Sequence, residues 1–162
     1  GLLRPLDRAA RPAVSARLHL CGTDAMARLE PMVAAAHAEA GIESDAEHRA
    51  AAIGPLLEGA PYGAVYLIGP ERAPVGYLVV TFTWSTLAGG MEGRLEELWI
   101  RPAVRRRGMA TEAVQALAST LAEAGLCVLG AEAETGSEAA RLHGRLGLGA
   151  EAGVLVMRRR LV

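Results

Sequence analysis

Apolar positions follow two different periods along this chain, and the change falls near residue 64. Before it, Met26, Leu29, Met32 and Val33 recur at helical spacing behind Thr23-Asp24, a pair suited to capping, so a helix is expected there. Pro31 lies near the beginning of that helix, where a first turn tolerates proline better than an interior does. Ser44-Asp45 with Glu47 gives a second start signal, followed by the stripe Ile53, Leu56 and Leu57 and the breaker Gly59-Ala-Pro-Tyr-Gly63. Residues 14–20 read as a short strand ahead of both helices.

After residue 64 the runs 65–68, 75–84 and 94–100 are rich in β-branched and aromatic residues. Gly69-Pro70 with Pro74, and then Ala88-Gly-Gly-Met-Glu-Gly93, separate them, which predicts an antiparallel meander. Residues 104–123 carry Val114, Leu117 and Leu121 at helical spacing, 126–131 form a short strand, 137–146 a helix and 153–162 a final strand. A strand, a helix and a strand in succession imply a parallel crossover, so the expected fold is α/β with a mixed sheet.

The length, 162 residues, fits one domain, with residues 1–13 as an N-terminal extension. Hydrophobic residues make up 51% of the chain, yet no apolar run reaches the roughly 20 residues that a membrane span requires. Arg4, Arg8 and Arg11 lie among prolines without the apolar stretch of a secretory signal, so a soluble, cytoplasmic protein is expected, with no membrane partner. A net charge of −1, with like charges in blocks of at most three arginines, argues against a nucleic-acid partner. Cys21 and Cys127 stand apart from any Cys-x-x-Cys pair, so neither a metal site nor a disulfide framework is expected. The chain has no lysine and no asparagine, which makes every fixed positive side chain an arginine and lowers the weight of any single one.

The segment with most chemistry is Leu95-Glu-Glu-Leu-Trp-Ile-Arg-Pro-Ala-Val-Arg-Arg-Arg-Gly-Met-Ala-Thr111, where a strand ends, a loop turns and a helix begins. Unpaired N–H groups at a helix start form a pocket for an anion, and Gly108 and Ala110 remove bulk where a diphosphate would approach. A capped helix behind a solvated basic turn is the plainer alternative. A Walker loop is excluded by the missing lysine. Gly147-Leu-Gly149-Ala-Glu-Ala152 imitates a dinucleotide fingerprint but precedes a predicted strand instead of opening a helix.

Arg105-x-x-Gly108-x-Ala110 resembles the Gln/Arg-x-x-Gly-x-Gly/Ala signature of the GNAT N-acetyltransferase superfamily. The resemblance extends over residues 75–148 and includes Ala139-x-x-Leu142-His143-x-x-x-Gly147-Leu148, similar to the family's Ala-x-x-Leu-Tyr-x-x-x-Gly-Phe. Trp84-Ser-Thr-Leu-Ala-Gly89 followed by Leu95-Glu-Glu-Leu98 looks like the diamine acetyltransferase branch. The resemblance implies a mostly antiparallel mixed sheet of about six to seven strands with about four helices. It further implies acetyl-CoA as cosubstrate, a metal-independent reaction and a homodimer. Backbone groups of Leu98, Trp99 and Ile100 would pair with the pantetheine arm like an added strand. Arg105, Arg106, Arg107, Gly108, Met109, Ala110 and Thr111 would cradle the diphosphate, although Arg106 and Arg107 are equally well explained as solvated charges.

Acetyl transfer to an amine needs a base, because an ammonium has no lone pair. Glu96 and Glu97 are adjacent on a predicted strand, so their side chains should point to opposite faces, with at most one entering the cleft. The resemblance favours Glu96; an inward carboxylate paired structurally with an arginine is the alternative. His143 occupies the position of the family's tyrosine acid, where imidazole can donate a proton near neutral pH or serve only in packing. A backbone N–H of Leu98 or Trp99 would hold the negative oxygen. The family's frequent asparagine falls on Gly136. His37 and Trp84, with Glu39 and Tyr62, are candidates to border the acceptor, and core packing or exposure explains each equally well. The expected function is acetyl transfer to a primary amine by direct attack in a ternary complex. The alternative is a catalytically weak acyl-CoA-binding module, suggested by His143 and Gly136.

Overall fold

A computed structural model describes residues 16–162. The sequence-predicted extension at residues 1–13 lies outside them, as does the start of the first predicted strand. The elements are β1 (Leu18–Leu20), α1 (Met26–Glu39), α2 (Ala46–Leu57), β2 (Gly63–Ile68), β3 (Gly76–Ser85), β4 (Gly90–Ile100), α3 (Met109–Glu123), β5 (Val128–Ala131) and α4 (Glu138–Arg145). The strands form one sheet in the order β1-β2-β3-β4-β5. Neighbours are antiparallel through β4, and β4 pairs with β5 in parallel. The meander and the parallel crossover through α3 are therefore as expected.

Alternation along the strands builds a core on each face. Leu78, Val80, Leu95 and Ile100 point toward α3, whose Met109, Ala113, Val114, Leu117 and Leu121 form the buried stripe. Val65, Leu67, Tyr77, Val79 and Trp99 point the other way, against Leu29, Met32 and Val33 of α1 and Ile53 and Leu57 of α2. Burying one such leucine stabilises the fold by about 1.5–3 kcal/mol. Asp45, within the start signal Ser44-Asp45, caps α2 by accepting from the His48 amide. Pro31 is the sixth residue of α1 and so an interior one, where its missing N–H leaves the preceding turn one bond short.

Two features depart from the sequence reading. Among the described residues there are five strands, not six to seven. Residues 153–162, expected as a strand, have no ladder partner: Val154, Leu155, Val156 and Met157 are exposed, and Arg158 bonds Glu132 through side chains alone. The second departure lies in the middle of β4. Val79 pairs with Glu97 and Val80 with Leu95, so Glu96 is an extra residue that bulges from the ladder.

Candidate functional site

The bulge and the end of β5 together create the site. β5 pairs with β4 only as far as Leu95, opposite Ala131, so residues 96–100 of β4 have no partner on that side. A cleft of about 910 Å³ opens there, lined along β4 by Leu95, Glu96, Glu97, Leu98, Trp99 and Ile100. Arg105, Arg106, Gly108, Met109, Ala110 and Thr111 close one side, and Leu142 and His143 of α4 the other. The free strand edge and the predicted phosphate turn thus share one cavity. Arg107 is exposed and lies outside its lining.

The turn before α3 owes its shape to two left-handed residues, Arg106 at φ 62° and Gly108 at φ 77°. Gly108 accepts the left-handed conformation without a Cβ penalty, whereas Arg106 adopts it at a cost of about 1–2 kcal/mol. Gly108 is also the N-cap of α3 and supplies no capping side chain. Among the described residues no backbone carbonyl accepts from the amides of Arg106, Arg107 or Gly108, and the first turn of α3 adds further unpaired donors. Unpaired N–H groups at a helix start suit an anion.

Arg105, the arginine of the signature, is already engaged. Its Nη1 and Nη2 donate to both carboxylate oxygens of Glu39, at 2.6 and 2.8 Å, and its Nε donates to the Ile100 carbonyl at 2.7 Å. The guanidinium lies 5.9 Å from the centre of the Trp99 ring, and the Trp99 indole N–H donates to Glu39 at 3.1 Å. Arg105 and then Trp99 hold the Glu39 carboxyl well below its ordinary value, from 4.5 down to about 2. The sign follows directly: the contact contributes fully above the ordinary carboxylate range and is lost as pH falls toward about 2. Arg105 therefore fixes the turn to α1 and β4, and the backbone amides and Arg106 remain for an anion.

The two carboxylates are not on opposite faces. The bulge resets the alternation at Glu96, whose Oε1 accepts from Thr81 at 2.9 Å and lies 3.3 Å from Arg94. Arg94 also pairs with Glu132. Glu97 accepts at Oε1 from the Tyr77 hydroxyl at 3.0 Å and contacts His37 Nε2 at 2.8 Å, on the face toward α1. Both glutamates line the cleft. Burial first, and then the charge of Glu97, raise the Tyr77 phenol, so it stays a donor.

His143 reaches the cleft from α4, and its Nδ1 is buried without a partner. Burial lowers its basicity, so the ring is neutral at pH 7. Trp84, at the distal end of β3, is exposed and outside the cleft lining, and Tyr62 is exposed as well. His37 uses both ring nitrogens within the protein. Tyr77, Ser44 and Arg49 carry no sequence signal, because their partners lie on other elements.

Comparison with solved structures shows the same fold. An integron cassette protein from the mobile metagenome of Cole Harbour Salt Marsh is 23% identical, with a TM-score of 0.78 over 90% of each chain. The aminoglycoside N-acetyltransferase AAC(6')-Iy, solved with CoA, is 13% identical with a TM-score of 0.76, over 94% of this chain and 99% of that one. The aminoglycoside acetyltransferase meta-AAC0020, from an uncultured soil metagenomic sample and bound to sisomicin, is 14% identical with a TM-score of 0.73, over 90% and 96%. No curated protein matches the sequence. Residues 29–148, most of the chain, match the Acetyltransferase (GNAT) family, and with the cleft just described the protein belongs to that family.

Proposed function

We propose that the protein transfers the acetyl group of acetyl-CoA to a primary amine of a small cationic acceptor, by direct attack in a ternary complex. The observation that carries this reading is one continuous cleft with unpaired amides at the turn before α3 and two carboxylates at the start of the free β4 edge. The amides of residues 106–111 suit the diphosphate, and the edge of residues 98–100 suits the pantetheine arm as an added strand. Glu97 lines the cleft beside the β4–β5 junction and, among the described residues, is paired with no arginine, which favours an acceptor that arrives as an ammonium.

In the reaction the ammonium first gives one proton to a carboxylate of the cleft. Its nitrogen lone pair then attacks the thioester carbonyl carbon, a backbone N–H of Leu98 or Trp99 holding the oxygen. The C–S bond breaks, and sulfur leaves with the bonding pair and takes the second amine proton. An amide, a free thiol and one released proton result. A neutral His143 lining the cleft supports the sulfur as a hydrogen-bond donor rather than as a strong acid. Diamines, from the resemblance in Trp84-Ser-Thr-Leu-Ala-Gly89 and Leu95-Glu-Glu-Leu98, and aminoglycosides, from the similar structures, are the first acceptors to test.

Free-thiol release from acetyl-CoA, measured against polyamines, aminoglycosides, amino acids and peptide lysines, should depend on one class of amine. CoA binding with no turnover on any acceptor would support the reading of a catalytically weak acyl-CoA-binding module.

A further inference from the structure

We infer that Glu97, rather than Glu96, takes the acceptor's proton, and that His37 is the residue that positions it. The inference rests on the transferase reading above and names the working parts of the same site. Glu97 Oε1 is saturated by Tyr77 and His37, while among the described residues Oε2 has no hydrogen-bond partner. One oxygen is anchored, and the other is free in a carboxylate that lines the cleft. Glu96 is bound differently: its charge is balanced by Arg94, and its side chain is more exposed, at 40% against 31% for Glu97. A carboxylate held against a guanidinium gains less from accepting a proton.

The anchoring continues beyond His37. Its Nδ1 lies 2.8 Å from the Ser44 hydroxyl, and Arg49 Nη1 donates both to that hydroxyl, at 3.2 Å, and to the Ser44 carbonyl, at 2.5 Å. Arg49 is in turn gripped by Glu30, at 2.8 Å through Nε and 2.6 Å through Nη2. The Glu97 carboxylate can only accept, so His37 Nε2 carries a proton and donates it to Oε1. The Ser44 hydroxyl accepts from Arg49 and holds Nδ1 from the other side of the ring. The groups facing His37 are Glu97 and Tyr77 from the sheet and Ser44 from the α1–α2 connection, with Arg49 of α2 and Glu30 of α1 behind Ser44. With both nitrogens committed, His37 orients the base and does not touch the acceptor. When Oε2 takes the ammonium proton, both donors stay on Oε1, and the proton leaves to solvent through the open cleft.

The test is kcat as a function of pH, at saturating acetyl-CoA, for the wild type and for Glu97→Gln, His37→Gln, Ser44→Ala and Glu96→Gln. Glu97→Gln should lower kcat about a hundredfold at mildly acidic pH and much less at alkaline pH, where the amine is already neutral. His37→Gln should lower it about tenfold with the same narrowing, leaving the KM for acetyl-CoA unchanged. A chain carrying both Glu97→Gln and His37→Gln should be no worse than Glu97→Gln alone, because the two act as a unit. Ser44→Ala removes one hydroxyl from a connection outside the hydrophobic core and should follow His37→Gln at smaller amplitude, which guards against a folding defect in the latter. A loss in His37→Gln that is constant across pH, or a pH-dependent loss carried by Glu96→Gln, would overturn the inference while leaving the transferase reading intact. A wild type without turnover on any amine would remove both.

Discussion

Glutamate in place of Ala110 should abolish acetyl-CoA binding while leaving the fold at least as stable. Ala110 is the second residue of α3, directly after Gly108 and Met109, and it lines the cleft. A carboxylate in the first turn of a helix interacts favourably with the uncapped amides and the helix dipole, by about 0.3–1 kcal/mol. The same carboxylate occupies the donors that a diphosphate would use and repels its charge. Losing two charge-assisted hydrogen bonds, at about 1.5–3 kcal/mol each, corresponds to at least about a hundredfold in affinity. Calorimetry with CoA and a thermal melt on the same sample separate the two effects. A variant that still binds CoA like the wild type would show that the anion sits elsewhere.

Alanine at Gly76 should be among the most destabilising single substitutions in the sheet. Gly76 opens β3 and pairs with Ile100, the last residue of β4. A Cβ there would overlap the Trp99 carbonyl oxygen and come within 3.0 Å of Ile100 Cδ1 and 3.2 Å of Ile100 Cα. Backbone cannot rotate away as a flexible side chain can, so β4 would have to move. A loss of about 3 kcal/mol or more is expected, near the upper end for overpacking, and a Tm lower by roughly 6–12 °C. The displaced segment includes Trp99, which anchors Glu39 and Arg105, so CoA affinity should fall in whatever fraction stays folded. A Tm within a degree or two of the wild type would mean that the strands are less tightly apposed than described.

What could be read from sequence was local in origin. The stripe Val114, Leu117 and Leu121, the Asp45 cap and the meander breakers act over a few residues, and each produced the expected element. The turn and the helix start after β4 were legible for the same reason, since Gly108 and the following helix are contiguous. The disposition of Glu96 and Glu97 was not, because a bulge is a property of pairing between two strands and leaves no mark on the spacing within one. The role of His37 was hidden similarly: its partner Glu97 is 60 residues away. Residues 153–162 failed in the opposite sense, since β-branched residues favour a strand only where a neighbour is available to pair.

Calorimetric titration of the wild-type protein with CoA, and separately with pantetheine, which lacks the diphosphate, is the most direct test of the anion site at the start of α3. CoA should bind once per chain, and pantetheine at least about a hundredfold more weakly, given the charge-assisted bonds to the turn amides. Equal affinity for the two, or no heat with CoA, would contradict the account.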